Sequence, residues 1–296
     1  MSGPSVAIVL ASIDASATIG ASVREFLTQL GDRGRVIVAD GSRDDSAEIA
    51  QAVSAEVQVV DRTPGTLAPV LWREGLVASE TEVVVFSTAQ MIPRSGHVDA
   101  LLAALDLLAA SAVGGPIAAG RNLSAVDRAM YLLRYANYLP PVPESSTFDP
   151  PGDNAAYLRR DLDLVADSWR SGFWEIEVHR QLRAFGRRIA IVPTAVVEFA
   201  GGCTLGGAIA HRLAHARRFG SGRSEGRGLA ARIVRSSAAP VVPPILLSRI
   251  LRNLRARGEP LGPWLPALPH LGVLLSAWSL GEATGALLGP GRGRAA

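Results

Sequence analysis

A carboxylate, a glycine and a hydroxyl follow one another at Asp40-Gly41-Ser42, directly after the apolar run Val36-Ile37-Val38. An acid at the end of a strand can accept hydrogen bonds from a base or a ribose. The glycine beside it lets a ligand approach the backbone closely. Alone, such a segment is an ordinary turn, so its meaning depends on the elements that position it.

Short apolar runs alternate with segments of helical spacing over most of the chain. The predicted strands cover residues 6–10, 36–38, 57–60, 83–86 and 189–193. Helices of about ten to fifteen residues between them predict an α/β fold with a mainly parallel sheet, whose ligands bind at the carboxyl ends of the strands. The turns that follow these strands are therefore the candidate site.

Further motifs follow in order along the chain. They are Arg62-Thr63-Pro64-Gly65, Arg73-Glu74-Gly75, the segment from Gly152-Asp153-Asn154 to Arg159-Arg160, and Trp174-Glu175 eleven residues before Gly186. Together with the Asp40 turn they resemble the family 2 glycosyltransferases, whose patterns include V-D-D-G-S-x-D, N-x-G, G-x-N-x-x-x-R-R and an E-D pair. The resemblance covers roughly residues 4–200. It implies a GT-A-type, Rossmann-like sheet flanked by helices.

The resemblance implies an enzyme that moves a sugar from a nucleotide-diphosphate sugar to an acceptor hydroxyl with inversion. The donor-binding residues that it implies are Ser12, Asp14, Asp40, Gly41, Ser42, Arg62, Gly65, Arg73, Thr88 and Gln90. Asp40 would contact the base and ribose, with the backbone of residues 12–14 as the opposite wall. Arg62 and Arg73 would meet the diphosphate, for which a guanidinium is well suited. A solvated surface charge is the alternative for each arginine.

The chain departs from the family where metal ligands are expected. After the predicted strand 83–86 the family has D-x-D-M-x-P, and this sequence has Thr88-Ala89-Gln90 before Met91-Ile92-Pro93. Mg²⁺ and Mn²⁺ require anionic oxygen ligands, which this segment lacks, so we assign no metal ligand. Three interpretations remain open: metal-independent transfer with arginines stabilising the leaving diphosphate, weak metal binding by amide and hydroxyl oxygens, and loss of catalysis.

Inverting transfer needs a base that removes the proton of the acceptor hydroxyl. Counting back from Gly186 aligns Glu175 with the second acid of the family's E-D pair, so Glu175 is the candidate base. Glu177 lies two residues further on, and on a helix the two carboxylates cannot share a face. Asp153 is the second catalytic candidate, as a ligand for donor or acceptor hydroxyls. Trp174 is a candidate for stacking on a sugar ring.

The composition changes after Ala238, which predicts a catalytic domain at residues 1–235 and an apolar, arginine-flanked helical region at 236–296. Proline-interrupted apolar runs predict interfacial or re-entrant helices at a membrane surface, with a polyprenyl or glycolipid acceptor. Packing on the catalytic domain or in a homodimer is the alternative. Further upstream, His211 and His215 are predicted to lie on a helix surface. The same helix, with Arg212, Arg217, Arg218 and Arg223, is predicted to face a phosphate-bearing acceptor.

All 30 basic side chains are arginines, and the formal net charge is +3. Arginine clusters beside apolar stretches fit phosphate or anionic lipid better than nucleic acid, because aromatic residues do not alternate with the arginines. GC-rich codon usage is the alternative cause of the missing lysines.

Cys203, the single cysteine, excludes an intramolecular disulfide and a multi-cysteine zinc site. The amino terminus has no signal-peptide pattern, so we expect a cytoplasmic protein, peripheral or integral at the inner face of the membrane.

Other classes of protein fit the sequence less well or remain open. A catalytically inactive protein of the same fold, which binds a nucleotide sugar or a partner protein, remains open because of the missing acids. A sugar-nucleotidyltransferase or a dinucleotide-dependent oxidoreductase is disfavoured, since residues 6–16 contain no glycine.

Overall fold

The computed structural model describes residues 4–143 and 149–289 of the chain. Two compact units divide the chain: residues 1–120 with 138–200 form the first, and residues 121–137 with 201–296 form the second. Part of the proline-flanked loop before Pro150 lies outside the described residues. The predicted domain boundary after residue 235 stays a prediction.

Ten strands and twelve α-helices occur in the described residues. The strands are β1 (Val6–Ser12), β2 (Gly34–Asp40), β3 (Gln58–Asp61), β4 (Val83–Thr88), β5 (Met91–Pro93), β6 (Ala112–Gly114), β7 (Ile117–Ala119), β8 (Asn154–Leu158), β9 (Ile189–Ile191) and β10 (Val197–Phe199). The helices are α1 (Ile19–Leu30), α2 (Ser46–Val53), α3 (Ala68–Val77), α4 (His97–Leu107), α5 (Ala125–Tyr135), α6 (Arg159–Leu164), α7 (Ala166–Trp169), α8 (Glu175–Ala184), α9 (Leu205–Gly222), α10 (Leu229–Ser237), α11 (Val242–Ala256) and α12 (Leu268–Leu288).

The first unit is built on a seven-stranded sheet in the order β3-β2-β1-β4-β8-β6-β9. The first four strands of that order run parallel to one another. Strand β8 runs antiparallel to both of its neighbours, and β9 pairs in parallel with β6. A second sheet has the order β5-β10-β7. The predicted α/β fold with a mainly parallel sheet is confirmed.

Helices cover both faces of the large sheet, which explains the continuous apolar runs of its strands. Alternate residues of β1 enter two different cores: Val6, Ile8 and Leu10 pack with α1, α2 and α4 on one face. Ala7, Val9 and Ala11 pack with α3, α6 and α8 on the other face. Helix α3 lies so close to β1 that a Cβ on Gly75 would meet Val9 Cγ1 at 2.2 Å. The packing therefore holds α3 at a fixed short distance from β1.

The second unit consists of α5 and α9 to α12. Helix α12 packs backbone to backbone against α9, because a Cβ on Gly285 would lie 2.0 Å from the carbonyl oxygen of Arg217. The stretch Gly262–Leu288 is long and apolar enough to cross a membrane, although 44% of its most apolar window is buried within the protein. Such a half-buried apolar helix is also what the core of a small helical unit requires.

His211 and His215 lie on α9, so the predicted helix is confirmed, but their side chains are half-buried and not at the surface. The His215 and Trp278 ring centroids are 5.8 Å apart, and burial lowers the pKa of His211 and lowers that of His215 to about 3. Arg212 is also buried, with its guanidinium 5.8 Å from the Trp278 ring centroid. Packing against α12 explains the difference, and Arg212 is therefore not presented to an acceptor.

Candidate functional site

The parallel strands bring three of the predicted donor-binding residues to one edge of the sheet. Ser12 and Asp40 are register partners at the ends of β1 and β2. Thr88, the last residue of β4, pairs with Ala11 on the other side of β1. Sheet register therefore places Ser12 between the other two, at the edge where open α/β sheets bind their ligands.

Ser42 connects the turn after β2 to the turn after β1. Its Oγ donates to Asp40 Oδ1 at 2.7 Å, accepts from the backbone N–H of Asp14 at 2.9 Å and lies 3.2 Å from Ser12 Oγ. The second Asp40 oxygen accepts from the Ser42 N–H at 3.0 Å. Asp14 in turn accepts from the backbone N–H of Arg43 at 2.8 Å. These residues form one connected group around a buried carboxylate.

The turn after β3 joins the same group through its backbone. The N–H of Arg62 donates to Asp40 O at 2.7 Å, and the N–H of Gly65 donates to Gly41 O at 2.9 Å. Gly65 has a φ of +87°, a conformation that a side chain would strain. A Cβ on Gly41 would meet Thr66 Cβ at 3.3 Å. Both glycines are therefore needed for the close approach of the two turns.

Arg62 and Arg73 share one buried carboxylate, that of Glu74. Arg62 contacts one Glu74 oxygen, and Arg73 Nη2 lies 2.7 Å from the other. The Glu74 side chain is 9% exposed, against 43% for Arg62 and 25% for Arg73. Both arginines are thus ion-paired while Arg62 remains exposed, and their predicted diphosphate contact and the alternative of surface charges both stay predictions. The cluster keeps a net charge of +1, and the buried Nε of Arg73 has no hydrogen-bond partner in the described residues.

The segment Thr88-Ala89-Gln90, where the resemblance would place two metal-binding acids, has only neutral oxygen atoms. Thr88 Oγ1 is buried and makes no hydrogen bond within the described part of the chain, while Gln90 O accepts from the N–H of Ala200 at 2.8 Å. No group of three or more His, Cys, Asp or Glu residues that could hold a metal ion occurs among the described residues. A hard divalent cation requires carboxylate ligands, so Thr88 and Gln90 do not fit Mg²⁺ or Mn²⁺.

The two catalytic candidates lie around Gly152. A Cβ on Gly152 would meet the Trp72 ring at 2.9 Å and the carboxyl carbon of Glu175 at 3.4 Å. Ser87 Oγ donates to Asp153 O at 3.0 Å, and Trp72 Nε1 donates to Ser87 O at 2.7 Å. Ser87 precedes Thr88 in β4, so this strand links the Glu175 and Asp153 group to the donor-binding turns.

The charges of both carboxylates act on a tyrosine that the sequence did not single out, Tyr138, whose hydroxyl donates to Asp149 O at 3.2 Å. Burial raises the pKa of Tyr138, and the negative charges of Glu175, Asp149 and Asp153 raise it further. Glu177, by contrast, accepts from Arg180 Nε at 3.0 Å. This hydrogen bond lowers the pKa of Glu177 and engages its carboxylate with Arg180. The choice of Glu175 as the candidate base stays a prediction.

A polar network centred on the buried His179 lies one helical turn beyond Glu175. His179 Nε2 is 2.7 Å from the hydroxyl of Tyr157, and its Nδ1 is 3.2 Å from Asp149 Oδ1. Arg183 Nη1 contacts the same Asp149 oxygen at 2.6 Å. Burial lowers the pKa of His179, which keeps the imidazole neutral. The spacing Glu175, His179, Arg183 is the i, i+4 repeat of one helix face, a signal present in the sequence.

Asn154, in the motif that begins at Gly152, connects neighbouring segments by side-chain hydrogen bonds. Its side-chain nitrogen donates to Pro116 O at 3.0 Å and to Ala195 O at 2.9 Å. Its oxygen lies 2.7 Å from His97 Nε2, and burial lowers the pKa of His97 to about 4. A neutral His97 donates this bond, so Asn154 is fully engaged and positions Asp153 beside β4.

The sequence has no significant match to a protein-family model or to a curated protein. Among solved structures, the chain is similar to a mannosyltransferase from Pyrobaculum calidifontis in complex with GDP-Man and Mn²⁺. The identity is 15% over 95% of this chain and 87% of that chain, with a TM-score of 0.56. A mycobacterial protein (22% identity, 72% of this chain and 73% of that chain, TM-score 0.47) and S. aureus TarS (11%, 72% and 39%, TM-score 0.46) are also similar. The chain has the GT-A-type fold of glycosyltransferases.

Proposed function

We propose that this protein transfers a sugar from a nucleoside diphosphate sugar to an acceptor hydroxyl, with inversion and without a divalent metal. One observation carries the proposal: β4 connects the Ser12, Asp40 and Ser42 group to the Glu175 and Asp153 group. The GT-A-type fold supports a sugar nucleotide as the donor, since the mannosyltransferase with this fold binds GDP-Man. A polyprenyl or glycolipid acceptor is part of the same proposal.

In the proposed reaction, the acceptor oxygen forms a bond to the anomeric carbon as the bond from that carbon to the diphosphate breaks. Glu175 takes the acceptor proton, and the nucleoside diphosphate leaves with the electron pair of the broken bond. Attack from the face opposite the diphosphate inverts the anomeric configuration. Asp153 holds a sugar hydroxyl beside Glu175.

Charge on the leaving diphosphate is stabilised in this proposal by the Arg62, Glu74 and Arg73 cluster. Its net charge of +1 supports this role, as does the Nε–H of Arg73, which has no hydrogen-bond partner in the described part of the chain. The hydroxyl of Thr88 supplies a neutral donor at the end of β4. No step requires a metal ligand at Thr88-Ala89-Gln90.

Donor hydrolysis and transfer, measured in EDTA and in Mn²⁺, test the proposal. Glu175→Gln should lower kcat about 10²- to 10⁴-fold, the usual contribution of a general base, without loss of nucleotide binding. Glu177→Gln is the matched control, because Glu177 lies in the same helical turn and pairs with Arg180. The anomeric configuration of the product, read by NMR, tests inversion.

A catalytically inactive protein that binds a nucleotide sugar or a partner protein is the second candidate, and the neutral residues at Thr88-Ala89-Gln90 favour it. Nucleoside diphosphates that stabilise the fold while no turnover occurs in EDTA or in Mn²⁺ would establish this candidate and reject the first. Turnover only with Mn²⁺ would reject the metal-independent mechanism and keep glycosyl transfer.

A further inference from the structure

Positive charge is concentrated in the second unit. Its residues 121–137 and 201–296 contain 16 arginines and four acids, a formal charge of +12. The first unit contains 14 arginines and 23 acids, a formal charge of −9. The small net charge of the whole chain is therefore the sum of a positive and a negative unit. Only the second unit has the charge that an anionic surface attracts.

Helix α10 in this unit turns its polar side inward. Arg232 donates from Nε to Ala286 O at 2.5 Å and from Nη2 to Leu287 O at 2.6 Å, at the carboxyl end of α12. Ser236 Oγ donates to Ala283 O at 3.1 Å. These residues lie at i and i+4, so one helix face is occupied by polar contacts with α12.

Three large apolar side chains of α10 are exposed. Leu229 is 66% exposed, Ile233 52% and Val234 69%. A soluble helical unit normally buries such side chains, whereas here the contacts of α10 with α12 come from Arg232 and Ser236. The next helix, α11, presents Arg249, Arg252 and Arg255 to solvent. An apolar helix face followed by exposed arginines has the chemistry of a helix that lies in a membrane interface.

We infer that the apolar face of α10, Leu229, Ile233 and Val234, docks on an anionic lipid bilayer, with the exposed arginines of α11 at the headgroups. The bilayer is favoured over a second copy of this chain because two units of charge +12 repel each other. Helix α12 stays within the unit, since its glycines pack on the backbone of α9. The protein thus binds the membrane peripherally, through α10.

Sedimentation of the full-length chain with vesicles tests the inference without any sugar donor. We expect binding to phosphatidylcholine vesicles that contain phosphatidylglycerol, weaker binding to phosphatidylcholine alone, and release by salt. Changing Leu229, Ile233 and Val234 together to serine should weaken binding about tenfold or more. The matched control changes three exposed apolar residues of the first unit, Val77, Leu107 and Leu164, to serine and should bind as wild type.

A second variant tests the electrostatic contribution to vesicle binding. Changing Arg249, Arg252 and Arg255 to glutamine should weaken binding to anionic vesicles by roughly fivefold per arginine, and leave binding to phosphatidylcholine unchanged. Far-ultraviolet circular dichroism confirms that each variant stays folded.

Three results would overturn the inference: no sedimentation with anionic vesicles, equal binding by the α10 variant and its control, or a wild-type dimer that the α10 variant abolishes while vesicles never bind. The inference does not rest on glycosyl transfer. A chain that binds vesicles but no nucleotide would refute the proposed function alone.

Discussion

Ser42→Ala removes the side chain that connects the turns after β1 and β2. The Ser42 hydroxyl makes one charge-assisted hydrogen bond to Asp40 at 2.7 Å, one to the Asp14 N–H at 2.9 Å and one to Ser12 Oγ at 3.2 Å. Hydrogen bonds to charged groups contribute about 1.5–3 kcal/mol and neutral ones about 0.5–1.5 kcal/mol. In the variant, Asp40, Asp14 and Ser12 find other hydrogen-bond partners in part. We therefore expect the free energy of unfolding to fall by about 2–4 kcal/mol.

Calorimetry and hydrogen exchange measure this loss. In a domain of this size, 1 kcal/mol shifts the unfolding midpoint by about 2–4 °C, so the first unit should unfold about 5–15 °C lower. The Asp14 amide should lose its protection from exchange, and the affinity for nucleoside diphosphates should fall because the loop that contains Asp14 is no longer anchored. Ser54→Ala is the control, since Ser54 accepts one hydrogen bond, from the Glu56 N–H. Equal midpoints and equal Asp14 exchange in the two variants would refute the connecting role of Ser42.

Three further predictions follow from particular contacts. Glu74→Gln leaves Arg62 and Arg73 without their carboxylate, so it should lower the free energy of unfolding by about 1–3 kcal/mol, a value discounted for the exposure of both arginines. The same change should tighten pyrophosphate binding severalfold in calorimetry; weaker binding would count against a diphosphate at this cluster. Gly285→Ala should destabilise the second unit by more than about 2 kcal/mol in urea unfolding, because its Cβ would lie 2.0 Å from a carbonyl oxygen. Gly272→Ala on the same helix should be neutral or stabilising, since no atom lies within 4 Å of the added Cβ, and similar effects of the two changes would contradict the close packing of α9 and α12. Burial lowers the pKa of His97 from 6.5 to about 4, so the unfolded chain binds the proton more readily and stability is lost as the pH falls through this window. Wild type should lose about 3 kcal/mol more than His97→Gln between pH values of about 7 and 4; parallel pH profiles would show that His97 is not buried as described.

The parallel half of the sheet could be predicted from the sequence. Residues 6–10, 36–38, 57–60 and 83–86 are mainly apolar runs of strand length between helical segments; β1, β2 and β4 contain three of them, and β3 begins one residue into the other. Such strands are buried on both faces, so their composition is a local signal. The strand ends are then known, which is why the turns at Ser12, Asp40 and Thr88 could be selected in advance.

The shorter elements could not be predicted in the same way. Strands β5, β6, β7 and β10 have three residues each, too few to show a period. The antiparallel direction of β8 depends on where a long connection returns, and local pattern carries no information about that. Helix α5 belongs to the second unit although it lies between elements of the first, since long-range packing alone decides membership.

The sequence by itself determined the residue types, the α/β alternation and the turns at the carboxyl edge of the sheet, because helical and strand periodicity are local properties of the chain. Tertiary structure decided which groups meet. It paired Arg62 and Arg73 with Glu74, placed His97 against Asn154 and buried Arg212 beside Trp278. It also left the neutral segment Thr88-Ala89-Gln90 at the end of β4, next to Ser87 and its bond to Asp153. Apart from the neighbours Arg73 and Glu74, these pairings join residues far apart in the chain, and only the packing of the folded chain brings them into contact.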